Sequence, residues 1–358
     1  MGVTKREFGK LKDGTVVDVY TITNHSGARV SLQTLGAGIQ SLLVPDKNGK
    51  LSDVVLGFKD PNMYLEDTGY QGLVVGRYAN RIRDGKFTVD GVEYHTPQNQ
   101  GTWTLHGGGR ISHSVWIPRE HLFTDNSVTF FISSPDGEDG FPGEFRFFVT
   151  YTFTEDNTLR IEYKIQSDKN TIANPTNHAY FNLSGNPYET IDDHYLQIMA
   201  DFYTFTDESQ LTTGRICRLE NTSMDFNMMT RIGAYIDYPN PVVIEDVGYD
   251  NNYCLSKSDP NNPFKFDKAA TLYHRGSGRQ MDVFTDMPGM QLYCSGWLPK
   301  EGYKGKKNGR VAYRRGVAME TQFWPDSCNY PDSFPSRFVK AYEDFYSKTE
   351  YRFSVKKQ

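Results

Sequence analysis

The sequence lacks several features that would point to a membrane or to nucleic acid. No apolar run approaches the roughly 18 residues that suggest a membrane-spanning helix. No block of lysine and arginine is present, and 39 basic against 44 acidic residues give a net charge of −5. Nucleic acids and anionic membrane surfaces are recognised through concentrated positive charge, so neither is an expected partner. The polar segment 1–13 lacks the apolar core of a signal peptide, and we expect a cytoplasmic protein.

Cysteine is also scarce. The chain has four cysteines, and they are Cys217, Cys254, Cys294 and Cys328. They lie far apart, with no CxxC pair and no spacing typical of a zinc site, so we interpret them as buried or free thiols.

Helical periodicity is nearly absent, and alternation of apolar and polar residues dominates instead. The apolar positions from 145 to 153 fall on one face, a turn follows at 155–157, and alternation resumes over 159–165. This pattern predicts an antiparallel hairpin with one solvated face. Asp90-Gly91 stands between two short alternating segments and predicts a second hairpin, because Asp-Gly readily adopts the positive φ angles of a type I′ turn.

The two ends of the chain repeat this pattern. Segments 16–22 and 30–35 flank a turn, and alternation over 345–355 predicts a closing strand. A helical spacing between residues 338 and 346 extends for only about two turns and carries little weight. Short strands with turn signals about every 8–12 residues predict an all-β sandwich or barrel, and we expect one domain over residues 1–358.

Two polar side chains stand where a buried strand would place apolar ones. Glu320 lies in the apolar segment 316–322, where a carboxylate is costly unless it is paired or used; a structural salt bridge is the alternative. His178 shares one face of the segment 174–182 with Tyr180. A histidine there is either a satisfied core residue or a catalyst.

Three further segments carry polar groups beside flexible backbone. His106 precedes three glycines, which form a turn or let the backbone approach a ligand closely. Arg77, Asn80 and Arg81 fall within six residues, a density that also suits a solvated loop. Asp250 lies in a segment that favours a turn.

Together and in order, these segments resemble the aldose 1-epimerase (galactose mutarotase) family over most of the chain. The matching motifs are Gly76-Arg77-Tyr78-Ala79-Asn80-Arg81-Ile82, Leu105-His106-Gly107-Gly108, Asn174-Pro175-Thr176-Asn177-His178 with its continuation to Leu183, and Glu320-Thr321-Gln322 with Pro325-Asp326 and Phe334-Pro335-Ser336. Two positions depart from the family pattern. Asn251 stands where the family commonly has histidine, and Trp324 occupies a position that is more often smaller. Both lie near expected sugar contacts and bear on substrate preference.

The resemblance implies a large antiparallel β-sandwich with an open sugar cleft. It implies Glu320 as base and His178 as acid, and it assigns sugar binding to His106, Arg77 and Asp250, with Asn80 as a supporting residue. The implied reaction interconverts the α and β anomers of a free aldohexose such as galactose or glucose. Opening the ring requires one proton to leave the C1 hydroxyl while another reaches the ring oxygen, so no metal or other cofactor is expected.

Three alternatives stay open at this stage. A glycoside hydrolase or lyase would need a second carboxylate, for which Asp250 is available. A sugar-phosphate epimerase would need a cationic pocket, for which Arg81, Arg83 or Lys86 are available. A non-catalytic sugar-binding protein would use the same cleft without turnover. The oligomeric state is left open.

Overall fold

The alternating segments fold as antiparallel strands. The structure is a computed structural model, and it describes residues 1–238 and 247–356. A five-stranded sheet begins the chain, and its strands pair in sequence order. They are Gly2–Lys10, Val16–Thr23, Arg29–Gln33, Gly38–Pro45 and Leu51–Asp53.

A second and larger sheet of the described residues contains nine strands. In spatial order they are Ile117–Pro118, Ser127–Ser134, Phe145–Phe153, Thr158–Ser167, Phe345–Val355, Arg279–Thr285, Asp267–His274, His194–Ile198 and Thr230–Arg231. The hairpin predicted around residues 145–165 is confirmed, with Phe147 opposite Ile165 in the register. The predicted closing strand is also confirmed, because Phe345–Val355 pairs with both Thr158–Ser167 and Arg279–Thr285.

A third sheet, six-stranded within the described residues, carries most of the polar side chains discussed below. In spatial order its strands are Tyr180–Phe181, Val317–Gln322, Gly289–Tyr293, Asp250–Leu255, Ala200–Thr206 and Thr212–Arg218. All six residues of Val317–Gln322 are buried, as predicted for this segment. The register places Gln291 opposite Glu320 and Tyr293 opposite Asp250.

The remaining elements are short. Two-stranded pairings join Arg81–Ile82 with Thr104–Leu105, Lys86–Val89 with Val92–His95, Val74–Val75 with Thr176–Asn177, Thr171–Ile172 with Phe338–Val339, and Tyr303–Lys304 with Arg310–Val311. The α-helix is Pro61–Glu66, and the 3₁₀ turns are Arg83–Gly85, His106–Gly108, Glu120–Leu122, Glu138–Gly140, Ile232–Ala234, Lys306–Asn308 and Ser327–Asn329. No helix in the described ranges has the length and apolar character needed to cross a bilayer.

One large apolar cluster joins the three sheets. It contains Ile22 from the first sheet, Phe147 and Tyr151 from the second, and Met290 and Met319 from the third. Strands that bury one face in this way form a sandwich, so the predicted all-β sandwich is confirmed.

Two smaller predictions have different outcomes. Asp90 and Gly91 both have positive φ angles, 51° and 78°, and connect the predicted hairpin Lys86–Val89 and Val92–His95. The helical spacing near residue 342 has no helical counterpart, because Phe338–Val339 and Phe345–Val355 are strands. Tertiary pairing with distant strands determines the conformation there.

Candidate functional site

An open cleft of about 440 Å³ lies against the Val317–Gln322 strand. Its lining combines carboxylates, imidazoles, amides and aromatic rings. Lining residues from the sequence-predicted set are Asn80, His106, His178, Asp250 and Glu320. Further lining residues include Asp67, Tyr70, Arg81, His113, Gln291, Tyr293 and Trp297. A concave site with a few converging polar groups is typical of small-molecule binding.

Glu320 and His178 meet inside this cleft. Glu320 lies on the strand Val317–Gln322. His178 lies in the link between Thr176–Asn177 and Tyr180–Phe181, and Tyr180–Phe181 pairs with the Glu320 strand. His178 Nε2 is 3.5 Å from Glu320 Oε1. The imidazole stacks on the Tyr180 ring at a centroid distance of 4.9 Å, which fixes its plane. The structure therefore brings together the two residues to which the resemblance assigns the roles of base and acid.

Burial moves the pKa values of the two groups in opposite directions. Desolvation raises the pKa of Glu320 well above its usual value; the charge of Asp250 adds to this rise, and Arg81 opposes it. Desolvation lowers the pKa of His178 to about 4. Both shifts favour a pair that holds one proton without carrying charge. The sequence-based expectation was an ionised Glu320 and a protonated His178. That arrangement also holds one proton, but on His178, whereas burial favours the proton on Glu320.

His106 occupies a tight turn whose backbone requires glycine. A Cβ atom at Gly107 would lie 2.8 Å from backbone atoms of Gly76 and Arg77, so only glycine allows this approach. His106 Nδ1 accepts a hydrogen bond from the Asn80 backbone N–H at 3.2 Å. Burial lowers the pKa of His106 well below its usual value, so the ring is neutral and its Nε2 carries the proton. His106 is therefore a hydrogen-bond donor through Nε2.

Asp250 is held by two donors. Its Oδ1 accepts a hydrogen bond from Gln291 Nε2 at 2.7 Å, and its Oδ2 accepts one from Trp297 Nε1 at 3.0 Å. A carboxylate has about four acceptor positions. About two positions therefore remain for hydroxyl groups of a ligand.

The structure places Arg77 away from the cleft, contrary to the sequence-based expectation that it binds the sugar. Its guanidinium donates to the carbonyl and hydroxyl of Ser134 and to the carbonyls of Pro135 and Pro142. It also lies 4.7 Å from the ring centre of Phe145. These contacts hold Arg77 in the interior, and it does not line the cleft. Arg81, four residues later in the same motif, lines the cleft instead and donates to Gln210 Oε1 at 2.8 Å.

The geometry also bears on metal binding. One potential ligand atom each from His106, His178 and Glu320 lies within 4.8 Å of the others. A metal ligand must offer a lone pair, but His106 Nδ1 already accepts a hydrogen bond and Nε2 carries the proton. The His106 side chain therefore does not fit the role of a metal ligand.

The sequence motifs missed two of the polar cleft residues. Gln291 lies in the strand Gly289–Tyr293, and Trp297 follows that strand. The feature that could have revealed Gln291 is the pairing of its strand with Val317–Gln322, which brings Gln291 beside Glu320. Neither of the two departures from the family pattern lines the cleft. Asn251 Oδ1 accepts the Asp250 N–H at 3.3 Å, and Trp324 Nε1 donates to the Pro288 carbonyl.

Comparisons with known proteins show which family the chain resembles. The aldose 1-epimerase family model matches residues 18–352. The chain is 39% identical to galactose mutarotase of Mus musculus over 99% of both chains, and 32% identical to aldose 1-epimerase of Escherichia coli K12 over 95% of this chain and 96% of that one. The solved GalM/aldose epimerase homologue from C. elegans has a TM-score of 0.84 at 29% identity, covering 94% of this chain and 98% of its own.

Proposed function

We propose that this chain, which belongs to the aldose 1-epimerase family, interconverts the α and β anomers of a free aldohexose such as galactose or glucose. The observation that carries the proposal is the His178–Glu320 contact of 3.5 Å inside the open cleft. An acid and a base at this distance are suited to two proton transfers on neighbouring oxygens of one sugar.

The reaction begins with ring opening. Glu320 as carboxylate takes the proton of the C1 hydroxyl, and His178 as imidazolium gives its proton to the ring oxygen. The C1–O5 bond breaks and an aldehyde forms at C1. Rotation about the C1–C2 bond presents the other face of the aldehyde. As the ring closes, His178 takes the proton of the O5 hydroxyl, O5 attacks C1, and Glu320 gives its proton to the C1 oxygen. Each such transfer typically contributes roughly 10²–10⁴-fold in rate.

The active form of the pair holds one proton. Burial favours the neutral arrangement, and at 3.5 Å a single proton transfer converts it into the ion pair that the reaction uses. The positive charge of Arg81 favours the carboxylate form of Glu320. With two protons the pair has no base, and with none it has no acid. Activity therefore depends on a coupled titration of both groups.

The other cleft residues bind and orient the sugar. Asp250 accepts hydrogen bonds from sugar hydroxyls, and Gln291 holds that carboxylate. His106 donates from Nε2, Arg81 donates from its guanidinium, and Asn80 supports the His106 ring through its backbone N–H. Polar groups fixed in this way discriminate against sugars that leave them unpaired.

The contacts support a free sugar over a sugar phosphate. Arg83 donates to the Asp207 carboxylate and to the Thr212 carbonyl, and the Lys86 ammonium lies 3.9 Å from the Glu93 carboxylate. Neither of these two cations lines the cleft; Arg81, which does, already donates to Gln210 Oε1 at 2.8 Å. A glycosidase would use Asp250 as its second carboxylate, and the nitrophenyl galactoside comparison below tests that alternative.

Polarimetry tests the proposal. Freshly dissolved α-D-galactose and α-D-glucose relax toward the anomeric equilibrium, and we expect purified protein to accelerate this relaxation in proportion to its concentration. A nitrophenyl galactoside and galactose 6-phosphate serve as comparison substrates. Release of nitrophenol would support a hydrolase, and acceleration on the phosphate alone would support the sugar-phosphate epimerase. An unchanged spontaneous rate on both free sugars would overturn the proposal.

A further inference from the structure

Trp297 differs from the chain's other indoles in its exposure and in its partner. Its ring lines the cleft and is 51% exposed, while its Nε1 donates to Asp250 Oδ2 at 3.0 Å. Trp116 is fully enclosed and donates to the Ile111 carbonyl. The Trp297 indole can pack its ring against a ligand in the cleft, and its N–H can hold the Asp250 carboxylate in place.

The loop that carries Trp297 is held at several points. The Trp297 backbone N–H donates to the Tyr293 hydroxyl at 2.9 Å, and the next residue, Leu298, is buried. A Cβ atom at Gly296 would lie 1.7 Å from the Val247 carbonyl oxygen, so the chain passes against that backbone where only glycine fits. These contacts place the indole over Asp250 before any ligand arrives.

Asp250 gains a defined orientation from this arrangement. The χ2 torsion of aspartate is broad, so a carboxylate held by Gln291 alone retains freedom to rotate. The second hydrogen bond, from the indole to Oδ2, restricts that rotation. The acceptor positions that remain on the two oxygens are available to a ligand in the cleft, which Asp250 lines.

We propose that Trp297 is a positioning residue for Asp250 and that its ring covers one face of the bound sugar. The inference rests on the proposed sugar-binding function of the cleft and adds a residue outside the sequence motifs. The indole N–H acts through Asp250, and the indole ring acts directly on the ligand by packing against the C–H face of the sugar. The two contributions are separable by substitution.

Four variants and one control separate them. Trp297→Phe removes the N–H and keeps a ring, and Trp297→Ala removes both. Asp250→Ala and the double variant Asp250→Ala/Trp297→Phe show whether the indole acts through the carboxylate. Trp324→Phe is the matched control, since Trp324 is a partly exposed indole outside the cleft whose Nε1 donates to the Pro288 carbonyl.

Kinetics on α-D-galactose give the first readout. Loss of one hydrogen bond to a partly exposed carboxylate corresponds to about a three- to tenfold rise in KM for Trp297→Phe, with kcat within about twofold. Trp297→Ala raises KM further. Adding Trp297→Phe to Asp250→Ala changes KM by less than about twofold, and Trp324→Phe leaves KM unchanged. Equal proportional effects of Trp297→Phe in both backgrounds would overturn the positioning role.

Fluorescence gives a readout that does not depend on turnover. Galactose binding changes the environment of Trp297, so wild type and Trp324→Phe show a saturable change in tryptophan emission, and Trp297→Phe loses it. If wild type binds galactose with this signal but does not accelerate mutarotation, the proposed function fails while the place of Trp297 in the cleft stands. If wild type is active and Trp297→Phe keeps both the signal and the KM, the inference about Trp297 fails.

Discussion

His178 Nε2 lies 3.5 Å from Glu320 Oε1, although 142 positions separate the two residues in the chain. Both side chains are at most 5% exposed. Strand pairing brings them together, because Tyr180–Phe181 pairs with Val317–Gln322 directly after the histidine. A buried imidazole and a buried carboxylate without charge neutralisation are costly, and this cost is typical of functional sites.

The pH dependence of catalysis follows from this pair. Because the active form of the pair holds one proton, kcat/KM is expected to fall below pH about 4, where His178 becomes protonated and the pair holds two protons. It is expected to fall again at a pH well above the usual glutamate pKa, where Glu320 loses its proton and the pair holds none. Replacing Arg81 by glutamine removes a charge that lowers the pKa of Glu320, so the alkaline limb moves to higher pH. Initial rates corrected for spontaneous mutarotation at each pH measure both limbs. An alkaline limb that moves to lower pH in this variant would contradict the assignment.

The two arginines of one motif are expected to behave oppositely. Arg77→Lys loses several hydrogen bonds to Ser134, Pro135 and Pro142 and lowers the free energy of unfolding by about 1–3 kcal/mol, with KM unchanged. Arg81→Lys keeps the charge but loses the planar guanidinium in the cleft, and it raises KM by about tenfold with little change in stability. Urea unfolding and polarimetric kinetics on both variants make the comparison. The reverse pattern would restore the sequence-based role of Arg77.

The alternating segments predicted most of the fold because one buried face imposes a period of two on the sequence. The hairpin at 145–165 was predicted in this way, and the hairpin at Asp90-Gly91 was predicted from its flanking alternation together with the turn preference of Asp-Gly. The segment near residue 342 was not, because contacts with distant strands outweigh its local spacing. The extent of one domain over residues 1–358 and a cytoplasmic location stay predictions.

The site was partly predictable for a similar reason. The motifs led to Glu320, His178 and His106, which the cleft brings together. They led to Arg77 and not to Arg81 because the two are equivalent by residue type, and only the structure shows that the Arg77 guanidinium donates to Ser134 while Arg81 lines the cleft. They missed Gln291 because its place beside Glu320 depends on the register of two strands far apart in sequence.

Chelation is expected to leave activity unchanged. His106 is a donor and not a ligand, because its Nδ1 accepts the Asn80 N–H. Protein dialysed against EDTA and assayed in metal-free buffer should therefore retain its full kcat on α-D-galactose. A loss of activity that added Zn²⁺ or Mg²⁺ restores would show that a metal takes part.

Asp326 provides a prediction about stability. Its carboxylate is 1% exposed, and burial raises its pKa to about 6. A folded-state pKa above the unfolded value of 3.8 means that ionisation opposes folding; the penalty is complete above pH 6 and disappears below pH 3.8. Asp326→Asn keeps the acceptor for the Arg83 N–H and suits the positive φ of 60°. We expect it to be more stable than wild type by about 2–3 kcal/mol at pH 8, with the difference shrinking toward pH 4. Urea unfolding at both pH values measures this, and a difference independent of pH would contradict it.

The most direct test of the acid–base pair is the optical rotation of fresh α-D-galactose with wild type, Glu320→Gln and His178→Asn. Glu350→Gln is the control, since Glu350 is an equally buried carboxylate paired with Arg160 and Arg352 away from the cleft. We predict that wild type and the control accelerate relaxation and that each pair variant loses at least about a hundredfold in kcat while remaining folded by circular dichroism. Folded pair variants that keep the wild-type rate would contradict the account.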